Sequence, residues 1–318
     1  MQTDAQKRAG INVRSTLLLT LTALIWGMAF VAQRAGMDFI GPFLFMGIRM
    51  LLGALTLLLV VLLQGSIPSR AALQKAQPSL NPIHLKRLLK AGLICGTVIF
   101  LAGCLQQVGL VYTTASKGGF LTALYIVLVP ILGIALRHKT HWNTWVSVLV
   151  AIAGLYLLCI TDAFTIGFGD AIMLGGAFFW ACHILAIDHF VVGLAQRDVM
   201  KLCIAQFAVA SVFSFVFSLL LDRFFVHGAF EINALMSALP AVLYVGILST
   251  GVAFTLQAFG QQGMNPAAAS IIMSLEAVFS VIGGMLILHE TLSGQEIAGC
   301  ILMFAAFTLS QLPVKTRV

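Results

Sequence analysis

Charged residues are scarce in this chain. It has 18 Lys and Arg and 11 Asp and Glu, so only 9% of its 318 residues carry charge, whereas a soluble globular domain carries about 25%. Hydrophobic residues make up 60% of the chain, and its mean hydropathy is +1.03. This composition excludes an ordinary soluble protein and predicts an integral membrane protein.

Motifs of several other protein classes are lacking as well. No GxxxxGKS or GxxxxGKT loop occurs, so nothing supports a pump driven by ATP. No CxxC pair occurs, and all six cysteines fall inside apolar runs, which favours small buried hydrophobes over disulfides or a metal site. We therefore expect no cofactor and no metal. The net charge of +7 forms no basic stripe, so we also expect no nucleic-acid partner.

Long apolar runs dominate the chain instead. They are about 17 to 24 residues long, which is the length of a membrane-spanning helix and not of a barrel strand. We predict an all-α membrane protein with ten transmembrane helices. Their approximate bounds are 15–33, 40–63, 90–112, 118–136, 143–161, 169–187, 199–221, 238–259, 266–288 and 294–312.

The distribution of basic residues predicts the orientation of these spans. With the N-terminus inside, fourteen Lys and Arg fall in inner segments and three in outer segments, while Arg49 remains within a span. Because Lys and Arg accumulate in cytoplasmic loops, we predict that the N- and C-termini are both cytoplasmic.

The two halves of the chain share a spacing of residues. Gln106 and Gln257 are 151 residues apart, and so are Tyr125 and Glu276. We therefore predict two five-helix repeats, at residues 15–161 and 169–312.

An odd number of spans per repeat forces the two halves into opposite orientations across the membrane. The result is an inverted repeat, an arrangement that is common in secondary transporters. In such proteins the substrate site lies at the interface of the repeats, near the bilayer midplane.

Glu276 is the strongest candidate for a functional residue. Ten residues after Pro266, which is a plausible first residue of its helix, it lies about 15 Å deep in the membrane. A carboxylate at this depth is costly and usually marks a transport pathway. We expect Glu276 to face a central cavity, where it carries a proton or binds a cationic group of the substrate. The alternative is a structural role, as partner of a nearby polar group.

Arg49 is the second charged candidate. It lies about seven residues into the second span, roughly 10 Å below the outer surface. Three roles are open: binding a carboxylate or phosphate of the substrate, pairing with Glu276, or extending outward to the membrane surface. Arg49 and Glu276 together would suit the carboxylate and ammonium groups of an amino acid.

Polar amides within the spans form the next set of candidates. They are Gln106, Gln107, Gln206 and Gln257. Hydrogen bonds between helices alone would explain them. The matched positions of Gln106 and Gln257 favour a place in the substrate pocket, near the axis that relates the two halves.

Three aromatic residues are candidates for the pocket walls: Trp26, Trp180 and Tyr125. They would provide apolar contacts for an aromatic or aliphatic substrate. Aromatic side chains are also the commonest filler between helices, and this interpretation remains open.

Five segments, taken in their order and spacing, resemble one known family. They are LIWGMAFVAQRAGMDFIGPFLFMGIRM, LQQVGLVYTTASKGGFLTALYIVLVPILG, GDAIMLGGAFFWACHILAIDHF, YVGILSTGVAFTLQAFGQQ and SLEAVFSVIGGMLILHETL. The chain resembles the EamA-type branch of the drug/metabolite transporter superfamily, whose ninth helix usually carries Glu-Pro or Glu-Ala, as Glu276-Ala277 does here. It departs from the family after the fourth span, where Arg137-His138-Lys139 replaces the usual acidic residue.

The resemblance implies a carrier of small organic solutes, often outward, in the bacterial inner (plasma) membrane. We predict a secondary transporter and not an enzyme, an exporter of metabolites such as amino acids by alternating access, driven by a proton gradient or by the substrate gradient alone. The expected partners are a small-molecule substrate and the lipid bilayer, for a monomer or homodimer. The alternatives are a lipid or lysolipid flippase, a membrane-embedded enzyme, and a sensor or channel.

The predicted orientation can be tested directly. Reporter tags inserted between Arg70 and Lys75 and at the C-terminus should both report the cytoplasm, because both segments belong to the basic, inner set. An external signal from either tag would contradict the arrangement of five helices followed by five helices.

Overall fold

Helices account for almost all of the described chain. The computed structural model describes residues 12–66, 82–113, 115–138, 140–159, 167–225, 231–288 and 293–312, and these residues contain no strand. The prediction of an all-α membrane protein is confirmed. The predicted cytoplasmic location of the termini concerns the first eleven and the last six residues. These lie outside the described residues.

The helices follow the apolar runs of the sequence. They are α1 (Val13–Gly36), α2 (Pro42–Ser66), α3 (Pro82–Tyr112), α4 (Ala115–Ala123), α5 (Tyr125–Ala135), α6 (Trp142–Cys159), α7 (Phe168–Val191), α8 (Gln196–Leu221), α9 (Ile232–Leu243), a π-helix (Tyr244–Ala253), α10 (Phe254–Gln261), α11 (Pro266–Met273), α12 (Glu276–Leu288) and α13 (Gly294–Gln311). A short 3₁₀ turn, Asp222–Phe224, follows α8.

Seven helical stretches in the described residues are long and apolar enough to cross a membrane. They are Val13–Gly36, Pro42–Gln64, Leu85–Tyr112, Gly118–Ala135, Phe168–Val191, Gln196–Phe224 and Ile232–Gln261. Two further apolar helices, Trp142–Leu158 and Pro266–Ile282, are shorter. The chain is therefore a multi-pass membrane protein, and the count of ten spans stays a prediction.

Two of the predicted spans are interrupted near their middle. The helix over 118–136 breaks at Leu124, between α4 and α5, and the helix over 266–288 breaks at Ser274 and Leu275, between α11 and α12. At each break the backbone hydrogen bonds join residues three apart, as in a 3₁₀ turn. One example is the bond from Val127 N to Leu124 O, at 3.1 Å. At the second break, the Ser274 hydroxyl donates to the Ile271 carbonyl at 2.8 Å, a contact that bends helices.

Helices from the two halves pack against each other along much of their length. α3 lies along α7 and α8, α2 along α8, and α6 along α13, while α1 contacts the π-helix, α10 and α12. Glycines allow several of these close approaches. A Cβ atom on Gly154 would lie 3.0 Å from the Gly299 carbonyl oxygen, so α6 and α13 meet backbone to backbone.

Gly27 brings α1 against the start of α12. A Cβ atom at this position would lie 2.5 Å from the carbonyl oxygen of Glu276 and 2.8 Å from the Ser280 nitrogen. Both contacts are with backbone, which cannot move aside as a flexible side chain can. Gly27 therefore fixes the position of the helix that carries Glu276.

We expect Gly27→Ala to lower the melting temperature of the detergent-purified protein. Alanine normally favours a helix by about 1 kcal/mol over glycine, but the added methyl group overlaps the α12 backbone, and overpacking costs about 1–3 kcal/mol. The control is Gly119→Ala in α4, where an added Cβ meets no atom within 4 Å. A Gly27→Ala variant that melts at or above the wild-type temperature would contradict this account of the α1–α12 contact.

Candidate substrate cavity

One cavity lies among α1, α2, α3, the two broken helices, α7, the π-helix and α10. Its empty volume, counted together with the open space at its mouth, is about 460 Å³. The lining residues are Trp26, Phe30, Gln33, Arg49, Gln106, Thr122, Tyr125, Trp180, Ile184, Ser249, Phe254, Gln257 and Glu276. Seven of the nine candidate residues from the sequence therefore lie in this lining, and Gln107 and Gln206 do not. The roles of the seven in binding or coupling stay predictions.

Tyr125 and Glu276 connect the two broken helices. Each is the first residue after its break, Tyr125 at the start of α5 and Glu276 at the start of α12. The Tyr125 hydroxyl donates to Glu276 Oε1 at 3.2 Å, and both residues are 3% exposed. A carboxylate in the first turn of a helix is favoured by the helix dipole. Within the described residues, this is the only side-chain hydrogen bond that Glu276 accepts, and Glu276 forms no ion pair there.

Arg49 is buried in the wall of the same cavity and does not extend to the surface. Its Nη1 donates to Gln33 Oε1 at 2.9 Å, and its Nε donates to Met46 Sδ at 3.1 Å. In the part of the chain that the structure describes, no carboxylate pairs with Arg49, so the direct Arg49–Glu276 pair is not formed. Among the described residues, the guanidinium group donates hydrogen bonds only to neutral side chains.

The amides next to Arg49 have a fixed orientation. Indole and guanidinium groups only donate hydrogen bonds, so the amides must present oxygen to them. Gln106 Oε1 accepts from Trp180 Nε1 at 2.6 Å, and Gln106 Nε2 donates to Gln33 Oε1 at 3.4 Å. This chain of contacts links Arg49 on α2 to α1, α3 and α7.

Aromatic rings form one wall of the cavity. The centroids of Trp26 and Phe254 are 4.7 Å apart, and Trp180 stacks on Phe254 at 5.8 Å with an interplanar angle of 20°. Trp26 Nε1 also donates to the Ser249 carbonyl at 3.1 Å. Ser249 lies within the π-helix, a form often found at functional sites.

Sequence reasoning missed several of the lining residues. Gln33 holds Arg49, and Phe254 lies between the two tryptophans, yet neither was a candidate. Gln33 follows Trp26 by seven residues and so shares its helix face, a signal that was available. Gln107 and Gln206 do not line the cavity. Gln107 Nε2 donates to Met37 Sδ at 3.4 Å, and Gln206 bonds His183 at 3.0 Å.

No metal centre is evident within the described ranges. They contain no group of three or more His, Cys, Asp and Glu side chains that is placed to hold an ion. The cysteines with described side chains are free thiols: Cys95, Cys104, Cys182, Cys203 and Cys300.

Comparison with known proteins identifies the family. The profile of the EamA-like transporter family matches residues 14–160 and, again, residues 167–311. The chain belongs to this family. Its membership confirms the resemblance noted in the sequence and makes the chain a multi-pass membrane transporter.

Two curated relatives and one solved structure agree with this assignment. An "Uncharacterized transporter" of Archaeoglobus fulgidus is 30% identical over 93% of this chain and 85% of its own length. The "Threonine/homoserine exporter RhtA" of Salmonella typhimurium is 26% identical over 82% of this chain and 92% of its own. A solved structure titled only "Crystal structure of protein" has the same fold, with a TM-score of 0.70 at 18% identity over 94% of this chain and 96% of that one.

The contact between Gln33 and Arg49 can be tested by a double-mutant cycle. Gln33→Leu leaves Arg49 Nη1 and Gln106 Nε2 without their shared acceptor, and each buried orphan costs about 1–3 kcal/mol. We expect a clear fall in melting temperature. Gln33→Leu combined with Arg49→Met should lose less than the sum of the single changes, because the second change removes a stranded charge. Additive losses would show that the two side chains are not coupled.

Proposed function

We propose that this chain is a secondary transporter that exports small organic metabolites such as amino acids by alternating access. One observation carries the proposal. Two buried charges of opposite sign, Arg49 and Glu276, line a single cavity, and they form no ion pair with each other in the described residues. A solute with a carboxylate and an ammonium group would complement both charges. The relative named as a threonine/homoserine exporter supports this class of solute.

The proposed architecture is ten helices in two inverted five-helix repeats, at residues 15–161 and 169–312, with both termini in the cytoplasm of a bacterial inner membrane. The positions of the helix breaks support it, because Leu124 and Leu275 are 151 residues apart, the same spacing that relates Tyr125 to Glu276.

The packing of the helices also supports an inverted repeat. α3 of the first half lies along α7, the first helix of the second half, and α1 lies along the third helical stretch of the second half, from α9 to α10. The third helical stretch of each half therefore packs against the first helix of the other half, as expected if the two halves share one arrangement.

The contact between the broken helices suggests how the halves are coupled. Tyr125 belongs to the first half and Glu276 to the second, and their hydrogen bond crosses the cavity between the two. A substrate ammonium group that binds Glu276 would compete with the Tyr125 hydroxyl. A proton on Glu276 would compete with the ammonium group in turn, which is the basis of the proposed proton coupling.

The cavity lining bears on the alternatives. A lipid or lysolipid flippase needs an apolar lateral groove, whereas this cavity presents two charges and three amides, which favours a small polar solute. A membrane-embedded enzyme needs polar catalytic side chains within hydrogen-bond reach, and Tyr125 and Glu276 meet that condition. Membership in a transporter family nevertheless favours transport over catalysis.

Uptake into proteoliposomes tests the function. The experiment compares wild type with Glu276→Gln for labelled amino acids and small amphiphilic cations, with and without an imposed pH gradient. We expect wild type to move amino acids, and Glu276→Gln to lose the response to the gradient, because an amide cannot carry the exchangeable proton. The matched control is Glu231→Gln, at an exposed glutamate just before α9.

Each outcome has a definite meaning. Loss of gradient dependence alone assigns the proton to Glu276, and loss of all binding makes Glu276 a substrate ligand. Transport by Glu276→Gln equal to that of wild type would leave this residue with a structural role only. If wild type moves none of the amino acids, the proposed substrate class is wrong.

A further inference from the structure

The amide of Gln257 has an orientation that its neighbours impose. Gln261 Nε2 donates to the backbone carbonyl of Ile184 at 3.0 Å, and a carbonyl oxygen can only accept. Gln261 must therefore turn its Oε1 towards Gln257. As a result, Gln257 donates to that oxygen through its own Nε2, at 2.9 Å. Both amides are 1% exposed.

This orientation leaves Gln257 Oε1 without a partner in the described protein, although the atom is buried and its side chain lines the cavity. Such an orphan acceptor is unusual, since buried polar atoms in native proteins are nearly always hydrogen-bonded. Its repeat counterpart differs in this respect, because Gln106 Oε1 accepts from Trp180. Among the described lining residues, the unpaired amide oxygen therefore belongs to the second half of the chain, which also supplies Glu276, while the first half contributes one unpaired hydroxyl, that of Thr122.

We propose that Gln257 Oε1 accepts an N–H of the substrate's ammonium group, and that Gln261 is the positioning residue that holds the Gln257 amide in the orientation that leaves this oxygen unpaired. The proposal rests on the proposed function and refines its substrate class. Glu276 recognises the positive charge, whereas the neutral Gln257 recognises only a hydrogen-bond donor. The preferred substrate is therefore a protonated amine with at least two N–H groups, one for each of these two acceptors.

Methylation of the substrate nitrogen separates these two kinds of recognition. An N,N,N-trimethyl amino acid keeps the positive charge and the carboxylate but has no N–H group to donate. It should still be attracted to Glu276 and Arg49, yet it cannot satisfy Gln257. The change in the ratio of affinities for an amino acid and its trimethyl derivative, between wild type and a Gln257 variant, therefore reports the N–H bond to Gln257, since each probe keeps its own charge and bulk in both proteins.

The experiment measures dissociation constants with purified protein in lipid nanodiscs. The probes are L-threonine, L-homoserine and L-leucine, each with its trimethyl derivative. We expect wild type to prefer the primary amine roughly tenfold to a hundredfold, the range for hydrogen bonds to charged groups. Gln257→Leu should lower this ratio by weakening the binding of the amine alone, while the N–H donated to Glu276 keeps the ratio above one. Gln257→Glu, which keeps an acceptor oxygen, should retain the preference.

The positioning role of Gln261 has a separate readout. Gln261→Leu should lower the ratio only in part, because it frees the Gln257 amide to rotate without removing it. The Gln257→Leu/Gln261→Leu double variant should be no worse than Gln257→Leu alone, since the two residues act as one unit. Gln107→Leu, a buried amide outside the cavity lining, is the matched control and should keep the wild-type ratio.

The outcomes separate this inference from the proposed function. If wild type binds amino acids but not more tightly than their trimethyl derivatives, or if Gln257→Leu keeps the wild-type ratio, the role of Gln257 is overturned while amino-acid transport stands. An additive double variant would overturn the positioning role of Gln261. If wild type binds neither member of any pair, the amino-acid substrate class fails and this inference fails with it.

Discussion

The hydrogen bond between Tyr125 and Glu276 joins the two interrupted helices at the cavity that is proposed to bind the substrate. The hydrocarbon core of a bilayer offers no polar partner, so a carboxylate at that depth must find one within the protein or face a cavity. Glu276 does both, at the point where α12 restarts after its break. Its partner, Tyr125, restarts α5 in the other half of the chain. One contact thus ties the two interrupted helices to each other and to the cavity.

Close packing of the α1 backbone against α12 supports this contact. Gly27 lets α1 approach the backbone of α12 at Glu276 so closely that a methyl group would overlap it. The same helix carries Trp26 and Gln33, which form part of the aromatic wall and hold Arg49. α1 therefore sets the position of the negative group through its backbone and of the positive group through a side chain. Any movement of α1 would change both together.

Sequence alone indicated the charged members of the site because a charge within an apolar run has few explanations. The spacing of 151 residues also paired Tyr125 with Glu276, which the structure joins by a hydrogen bond. Other features carried weaker signals. Gln33 ends the predicted span 15–33 and so resembles an interfacial residue, whereas α1 continues to Gly36. Phe254 is one of 23 phenylalanines. No glycine or proline lies within four residues of either helix break, so the sequence has no helix-breaking residue there that would distinguish a broken helix from a continuous one.

The chemistry of the cavity is less symmetric than its architecture. In the proposed repeat, Tyr125 corresponds to Glu276, and Gln106 corresponds to Gln257. Yet the oxygen of Gln106 accepts from Trp180, while that of Gln257 has no partner among the described residues. Arg49 adds a positive charge from the first half alone. The buried positive charge therefore comes from the first half and the buried carboxylate from the second, so the proposed zwitterionic solute would have one favourable orientation between the two halves.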